Sequence, residues 1–230
     1  MRHIVVLSGA GMSAESGIST FRDNGGLWDK YDISEVATPE AWARQPELVL
    51  EFYNMRRAAL AEVEPNSGHL ALTQLEEHFD VSIITQNVDD LHERAGSRNI
   101  LHLHGELTKV RSTKNEDHIQ DIGYQNLKLG DKCPDGGQLR PHIVWFGEEV
   151  PKLMEAAQIT RTADILLIIG TSMQVYPASQ LIYEASPNCE VYYIDPDPAP
   201  VYGISNLKVI KEKAGIGVPA LVHNLMSKNQ

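Results

Sequence analysis

Short apolar runs rich in β-branched residues alternate along this chain with longer runs of helical spacing. HIVVLS (3–8), VSIIT (81–85), NILHLH (99–104), HIVWF (142–146), ILLIIG (165–170), EVYYID (190–195) and LKVI (207–210) predict strands. ILLIIG is apolar at nearly every position, which suits a parallel strand covered on both faces. PELVLEFYNMRRAALAEV, HLALTQLEEHF and PASQLIYEA place apolar residues at helical intervals. Strand, helix, strand in succession predicts an α/β chain built on a Rossmann-like, doubly wound parallel sheet. Two stretches fit that scheme poorly: 30–75 is mostly helical, and 109–140 is polar and loop-like with no strong apolar period. Both read as insertions packed together as a smaller lobe, with 1–29, 76–108 and 141–230 forming the large one.

The bulk properties narrow the setting. At 230 residues one domain with an appendage is the natural size, and a formal net charge of −11 opposes non-specific binding to nucleic acid or anionic lipid. No apolar stretch approaches the ~20 residues of a membrane helix, and the N-terminal apolar run is too short for a signal peptide. The two cysteines, Cys133 and Cys189, make no disulfide framework, so a reducing, cytoplasmic location is expected.

Directly after the first strand comes GAGMSAESG, in which Gly9, Gly11 and Ala14 fit G-x-G-x-x-[GA]. Opening a helix, such a turn would offer free N–H groups to a pyrophosphate; the plainer alternative is a glycine-rich helix start packed closely on its strand. The acidic residue a dehydrogenase carries about 20 positions on is missing. A second glycine turn, Gly170 with Thr171 and Ser172, closes ILLIIG and could stand beside phosphate or ribose. Asp195 ends EVYYI, where a ribose hydroxyl would be accepted and a 2′-phosphate repelled, which favours NAD over NADP; alternatively it is a turn residue in DPDPAP.

The polar cluster TQNVDDLHERAG follows the strand VSII, placing Gln86, Asn87 and Asp89 at the edge where open α/β sheets bind ligands. Asn87 or Asp89 could equally cap the helix that holds LHERA. In LHLHGEL, His102 and His104 alternate with leucine and would share a strand face. H-x-H suggests a metal pair, but no third ligand follows at convincing spacing. A neutral imidazole at the strand end can accept a proton near pH 7, although spacing alone does not select His104.

Taken together, GAGMSAESGISTFR, TQNVDDLHERAG, HLHGEL, LRPHIVWFGEEVP and GTSMQVYPA resemble the sirtuins, NAD-dependent protein-lysine deacylases, in that family's order and spacing across essentially the whole chain. The resemblance implies NAD as cosubstrate and acyl-lysine proteins or peptides as partners, meeting in a cleft between two lobes. It implies that Gly9, Ala10, Gly11, Gly170, Thr171 and Ser172 line the pyrophosphate and adjoining ribose, while Phe21 and Arg22 close over the nicotinamide end. Asn87 and Asp89 would hold the carboxamide, with Gln86 on the ribose and His104 as general base. The acyl oxygen would attack the nicotinamide ribose, His104 would deprotonate a ribose hydroxyl, and nicotinamide, free lysine and O-acyl-ADP-ribose would result. Val144, Phe146, Gly147 and Glu148, in VWFGEE, would offer an extended edge to the substrate backbone.

Two departures stand out. The family's structural zinc sits on two C-x-x-C pairs, whose positions here are Ser112, Asn115, Cys133 and Gly136, so zinc is not expected. Asp195 stands where the family usually has Asn. In sirtuins that remove acidic acyl groups, a Tyr-x-x-Arg pair reads the distal carboxylate; Tyr53 and Arg56 match it, and Ala14 matches the small residue that admits a longer chain. Three apart on a helix, Tyr53 and Arg56 share a face, as ordinary core and surface residues would too. Desuccinylase or demalonylase activity with retained deacetylation is therefore expected. The rivals are a mono-ADP-ribosyltransferase and a non-catalytic NAD-binding module, and oligomeric state stays open.

Overall fold

The computed structural model describes residues 1–20 and 30–228; Phe21 and Arg22 lie outside the described residues. Six strands form one parallel sheet in the order β3-β2-β1-β7-β8-β9. They are β1 His3–Ser8, β2 Asp80–Thr85, β3 Ile100–His102, β7 Ile165–Ile169, β8 Glu190–Ile194 and β9 Leu207–Ile210. The chain steps outward from β1 to β3, then returns beside β1 and steps the other way to β9. Strand order thus reverses between β1 and β7. Ser8 pairs with both Thr85 and Ile169, so the carboxyl ends of the three central strands stop at one level.

The apolar character of these strands is explained by cover on both faces. Ile4, Val6, Ile83, Leu167 and Ile169 point to one side, against helices Ser67–Leu75 and Ala214–Lys228. Val5, Leu7, Ile84, Leu166 and Ile168 point to the other, against helix Leu153–Arg161 and the 3₁₀ turns Ala178–Glu184. Period-two alternation within an unbroken apolar run produces this two-sided burial. Helix Ser67–Leu75, drawn with the inserted residues by the sequence pattern, buries Ala71, Leu72 and Leu75 on the large sheet. None of the helices among the described residues is long and apolar enough to cross a membrane.

The stretch 109–140 corrects the expectation of a loop. It carries much of a second sheet, antiparallel, in the order β5-β4-β6: β4 Gly105–Ser112, β5 Ile119–Asp121 and β6 Leu139–Ile143. Its strands escape a hydrophobicity pattern because Arg111, Ser112 and Arg140 occupy buried positions through polar pairing. The strand expected at HIVWF sits three residues earlier and ends at Ile143. Beneath this sheet Leu50, Val110, Leu127, Cys133 and Leu139 pack together, while Phe52, Tyr53, Leu60, Leu107 and Trp145 join helix Pro46–Ala61 to it. Arg57 locks the joint, its Nε donating to the Leu107 carbonyl at 2.7 Å and Nη1 to Asn54 Oδ1 at 2.7 Å.

Candidate active site

Open α/β sheets bind ligands at the carboxyl ends of strands where the order reverses. Here the loops leaving β1 and β7 meet at that point. Gly9 N–H donates to the Ile169 carbonyl at 2.9 Å and Gly11 N–H to that of Gly170 at 2.7 Å. A Cβ on Gly11 would lie 2.7 Å from Gly170 Cα, and one on Gly9 would lie 2.8 Å from Thr171 Cβ. The glycines therefore let two backbones touch. The expected helix start is replaced by two three-residue 3₁₀ turns, Ala10–Met12 and Ala14–Ser16, closed by Gly17 at φ +102°. A helix dipole is thus not what the first loop contributes; half-buried Ala10 and Ala14 lie along these turns.

Side chains from the β2 loop reach back onto the first. Ser13, buried, donates its hydroxyl to Asp89 Oδ2 at 2.9 Å and accepts from Asn87 Nδ2 at 3.1 Å. Asn87 Nδ2 also donates to the Gly9 carbonyl at 3.0 Å, which fixes the orientation of its amide. Asp89 Oδ1 accepts from the Leu91 N–H at 3.2 Å, beside the start of helix Leu91–Ala95, but the N-cap position of that helix is Asp90, not Asp89 or Asn87. Burial pushes the Asp89 carboxyl up, opposed by those two hydrogen bonds. Gln86 Nε2 donates to Thr171 Oγ1 at 3.2 Å and joins the β2 loop to the β7 loop. Half-buried Ser172 accepts from the Gln174 N–H at 3.3 Å.

His102 and His104 both turn to the β2 loop, as strand alternation predicts, and bond consecutive carbonyls. His104 Nδ1 lies 3.1 Å from the Gln86 carbonyl, so it carries the proton and Nε2 is the basic nitrogen. Burial lowers the His104 pKa, with the Gln86 bond opposing. His102 has Nδ1 3.1 Å from the Asn87 carbonyl and Nε2 2.7 Å from Glu93 Oε1. Burial disfavours its charge, yet the Glu93 bond and charge outweigh that and hold it above the ordinary value. The two imidazoles are thus shifted in opposite directions, His104 toward the neutral form and His102 toward the protonated one. His102, Glu93 and Glu106 could gather round a metal, but His104 is not among them, and Lys109 Nζ already holds Glu106 at 2.9 Å.

Tyr53 and Arg56 leave helix Pro46–Ala61 on the side facing this loop. Tyr53 is buried, and its Oη accepts from Trp145 Nε1–H at 3.0 Å. Burial raises the Tyr53 pKa, with Arg56 opposing. Half-buried Arg56 stacks its guanidinium 5.7 Å from the Tyr53 ring centroid. Burial lowers its pKa, while Tyr53 and Asp89 support the charge.

The segment VWFGEE departs from a free edge. Val144 N–H donates to the His104 carbonyl at 2.9 Å and Phe146 N–H to that of Ala37 at 3.0 Å. Glu148 points inward: its carboxylate accepts from Arg140 at 2.7 and 3.1 Å, from Arg111 at 3.5 Å and from the Trp145 N–H at 2.7 Å. Gly147, at φ +92°, turns the chain there, and the Phe146 side chain is exposed.

Asp195, at the end of β8, is buried and its Oδ1 accepts from the Asp197 N–H at 2.9 Å, the turn contact considered as its alternative role. At the positions of the family's zinc ligands, the residues do not fit a closed four-thiolate site. Ser112 Oγ donates to Asp135 Oδ1 at 2.9 Å, Asn115 Oδ1 accepts from Asp117 N–H at 3.0 Å, and Gly136 forms a turn at φ +77°. Cys133 Sγ lies within 4.8 Å of donor atoms on His118 and Asp135, giving three ligands of which the histidine is exposed. A structural zinc needs four.

Ser13, Trp145 and Glu93 hold candidate site residues in place, through Asn87 and Asp89, Tyr53 and His102, and the sequence pattern does not single them out. Ser13 lies inside the glycine motif, and a small hydroxyl opposite an Asn-x-Asp triplet is the signal that points to it.

Comparison with known proteins identifies the chain's relatives. The model of the Sir2 family matches residues 9–177. An NAD-dependent protein deacylase of Bacteroides thetaiotaomicron is 54% identical over 226 residues, covering 96% of this chain and 97% of that protein. One from Helicobacter pylori is 55% identical over 214 residues, 93% of this chain and 91% of that protein. Among solved structures, a Sir2 homologue in complex with NAD superposes with a TM-score of 0.89 at 39% identity, covering 99% of this chain and 91% of the other.

Proposed function

Because the chain belongs to the Sir2 family and is an NAD-dependent protein deacylase, we propose that it favours acidic acyl groups, removing succinyl or malonyl from lysine while keeping some deacetylase activity. The observation that carries the preference is Arg56 against Tyr53, half-buried and close enough to Asp89 for their charges to interact. A distal carboxylate there accepts from a guanidinium and a phenol, charge-assisted bonds that an acetyl group cannot make.

NAD fits the residues present: two loops in contact at the switch point, an oriented amide and carboxylate at Asn87 and Asp89, and Asp195 at the end of the next strand but one. When bound, NAD supplies an electrophilic ribose carbon and the hydroxyl that receives the acyl group. The chain's own part begins with Ser13, which holds Asn87 and Asp89 toward the nicotinamide carboxamide. Gln86 and Thr171, bonded to each other, border the ribose and pyrophosphate together with Gly9, Gly11, Gly170 and Ser172. His104 presents Nε2 as acceptor for the ribose hydroxyl proton, since Nδ1 is committed to the Gln86 carbonyl. Tyr53 and Arg56 take the far end of the acyl chain, and Ala14 leaves room for its length.

Asp135 takes the place of zinc in the inserted segment. It gathers the hydroxyl of Ser112, the N–H of Gly137 at 2.7 Å and Nδ1 of His118 at 3.0 Å, while buried Cys133 packs as a small apolar side chain.

One peptide sequence carrying either succinyl-lysine or acetyl-lysine tests the proposal, with NAD present and nicotinamide and free lysine followed by mass spectrometry. Faster loss of succinyl is expected; faster loss of acetyl contradicts the acidic preference and leaves the deacylase intact.

A further inference from the structure

Trp145 is buried to 2% exposure between two functional groups that the deacylase chemistry does not employ in itself. On one side its indole N–H donates to Tyr53 Oη at 3.0 Å. On the other, the Arg140 guanidinium lies 3.4 Å from the centre of its ring. Arg140 is itself fixed by two bonds to the Glu148 carboxylate, at 2.7 and 3.1 Å, and a third to the Ile143 carbonyl at 3.1 Å. Glu148 also accepts the Trp145 backbone N–H at 2.7 Å, which closes the ring of contacts.

We propose that Trp145 is a positioning residue for acyl specificity: by donating to Tyr53 Oη it commits the tyrosine hydroxyl to act as a hydrogen-bond donor toward the acyl carboxylate. This rests on the acidic-acyl preference proposed above and extends it to a residue outside the Tyr-x-x-Arg pair.

A phenol oxygen in a buried site can accept from a neighbour, donate to one, or do both. Trp145 has a donor and no acceptor, and Arg56, which also hydrogen-bonds the Tyr53 side chain, likewise only donates. With donors on two sides, the Tyr53 proton can lower its energy only toward an incoming acceptor. A carboxylate is such an acceptor; the methyl of an acetyl group is not. The cation stacked on the indole withdraws electron density from it and strengthens the N–H as a donor. Glu148, turned inward and engaged by Arg140, belongs to this chain of support.

Trp145→Phe tests the inference, since it keeps most of the ring and deletes the N–H. Steady-state kinetics on succinyl-lysine and acetyl-lysine peptides of one sequence are the readout, with thermal melting as the fold control. The expected result is a KM for succinyl peptide raised about fivefold or more, the scale of one lost oriented hydrogen bond, with kcat and both acetyl parameters near wild type. In a Tyr53→Phe background the same change should add nothing. An equal loss on both substrates assigns Trp145 a purely structural role and overturns the proposal, as does an unchanged succinyl KM. A wild-type enzyme with no succinyl preference overturns the underlying acyl assignment as well. Should Trp145→Phe fail to fold, replacing tryptophan by 3-benzothienylalanine retains the bicyclic shape without the N–H and must give the same KM split.

Discussion

Nδ1 of His104 lies 3.1 Å from the backbone carbonyl of Gln86, and that one contact decides which nitrogen of the imidazole can accept a proton. A ring whose Nδ1–H is committed presents Nε2 as a base, provided it is neutral. Burial lowers the His104 pKa, so the neutral form persists to lower pH than for a free imidazole. Activity should therefore fall with acid only below the ordinary histidine range near 6.5. His104→Ala should reduce the steady-state formation of free lysine about 10²–10⁴-fold above that acidic limb and remove the limb itself. A full pH–rate profile checks both; an acidic limb retained in the variant assigns the base elsewhere.

Ser13 stands between Asn87 and Asp89, accepting from one and donating to the other. Ser13→Ala leaves the Asn87 amide with the Gly9 carbonyl alone and takes one donor from a buried carboxylate. The expected loss in kcat/KM for NAD is roughly tenfold, the scale of one buried polar partner. Kinetics with NAD varied at saturating acyl peptide report it, and the acyl selectivity should stay unchanged because Tyr53 and Arg56 keep their contacts.

Much of the fold is legible in the chain, for a physical reason. Strands buried on both faces, such as Ile165–Ile169, must be apolar at every position, and no other use of five such residues is as economical to read. The second sheet is hidden because its buried positions include Arg111 and Arg140, made tolerable by Glu148, a pairing visible only once the chain is folded. The site shows the same division. Asn87, Asp89 and His104 stand in contiguous motifs, whereas the contacts that orient them join residues far apart: Ser13 to Asn87 across 74 positions, Trp145 to Tyr53 across 92. Glu148 shows the cost of reading charge without a partner, since a carboxylate in an exposed-looking FGEE turn proves to be half-buried and held by Arg140.

The Asp135 cluster predicts how the inserted segment responds to metal. Protein prepared without added metal should carry far less than one zinc per chain, and a strong chelator should leave its melting temperature unchanged. Asp135→Ala should lower that temperature, because Ser112, Gly137 and His118 lose a common acceptor. Elemental analysis with melting curves checks this; near-stoichiometric zinc, or a melt that drops on chelation, contradicts the assignment.

His69 and His92 stack edge to face in the core, with ring centres 4.9 Å apart. Burial lowers the His69 pKa to about 4 and that of His92 well below its ordinary value. Between pH 6.5 and the lowered values the unfolded chain binds protons that the folded one refuses, so stability rises with pH across that window and is lost as pH falls. His69 alone accounts for about 1.5 kcal/mol between pH 6.5 and 5, since the unfolded imidazole is only half protonated at the upper limit. Chemical denaturation at the two pH values should show that drop in the wild type and a smaller one in His69→Gln.

The most direct measurement is the ratio of kcat/KM for succinyl-lysine and acetyl-lysine in one peptide sequence, for the wild type and for Arg56→Met. Succinyl should lead in the wild type, and the variant should lose about 10- to 100-fold on succinyl while acetyl turnover stays within a few-fold, as expected when charge-assisted bonds to a carboxylate are removed. Equal losses on both substrates, or a wild type that prefers acetyl, would contradict the acidic-acyl assignment and return Tyr53 and Arg56 to the packing of their helix.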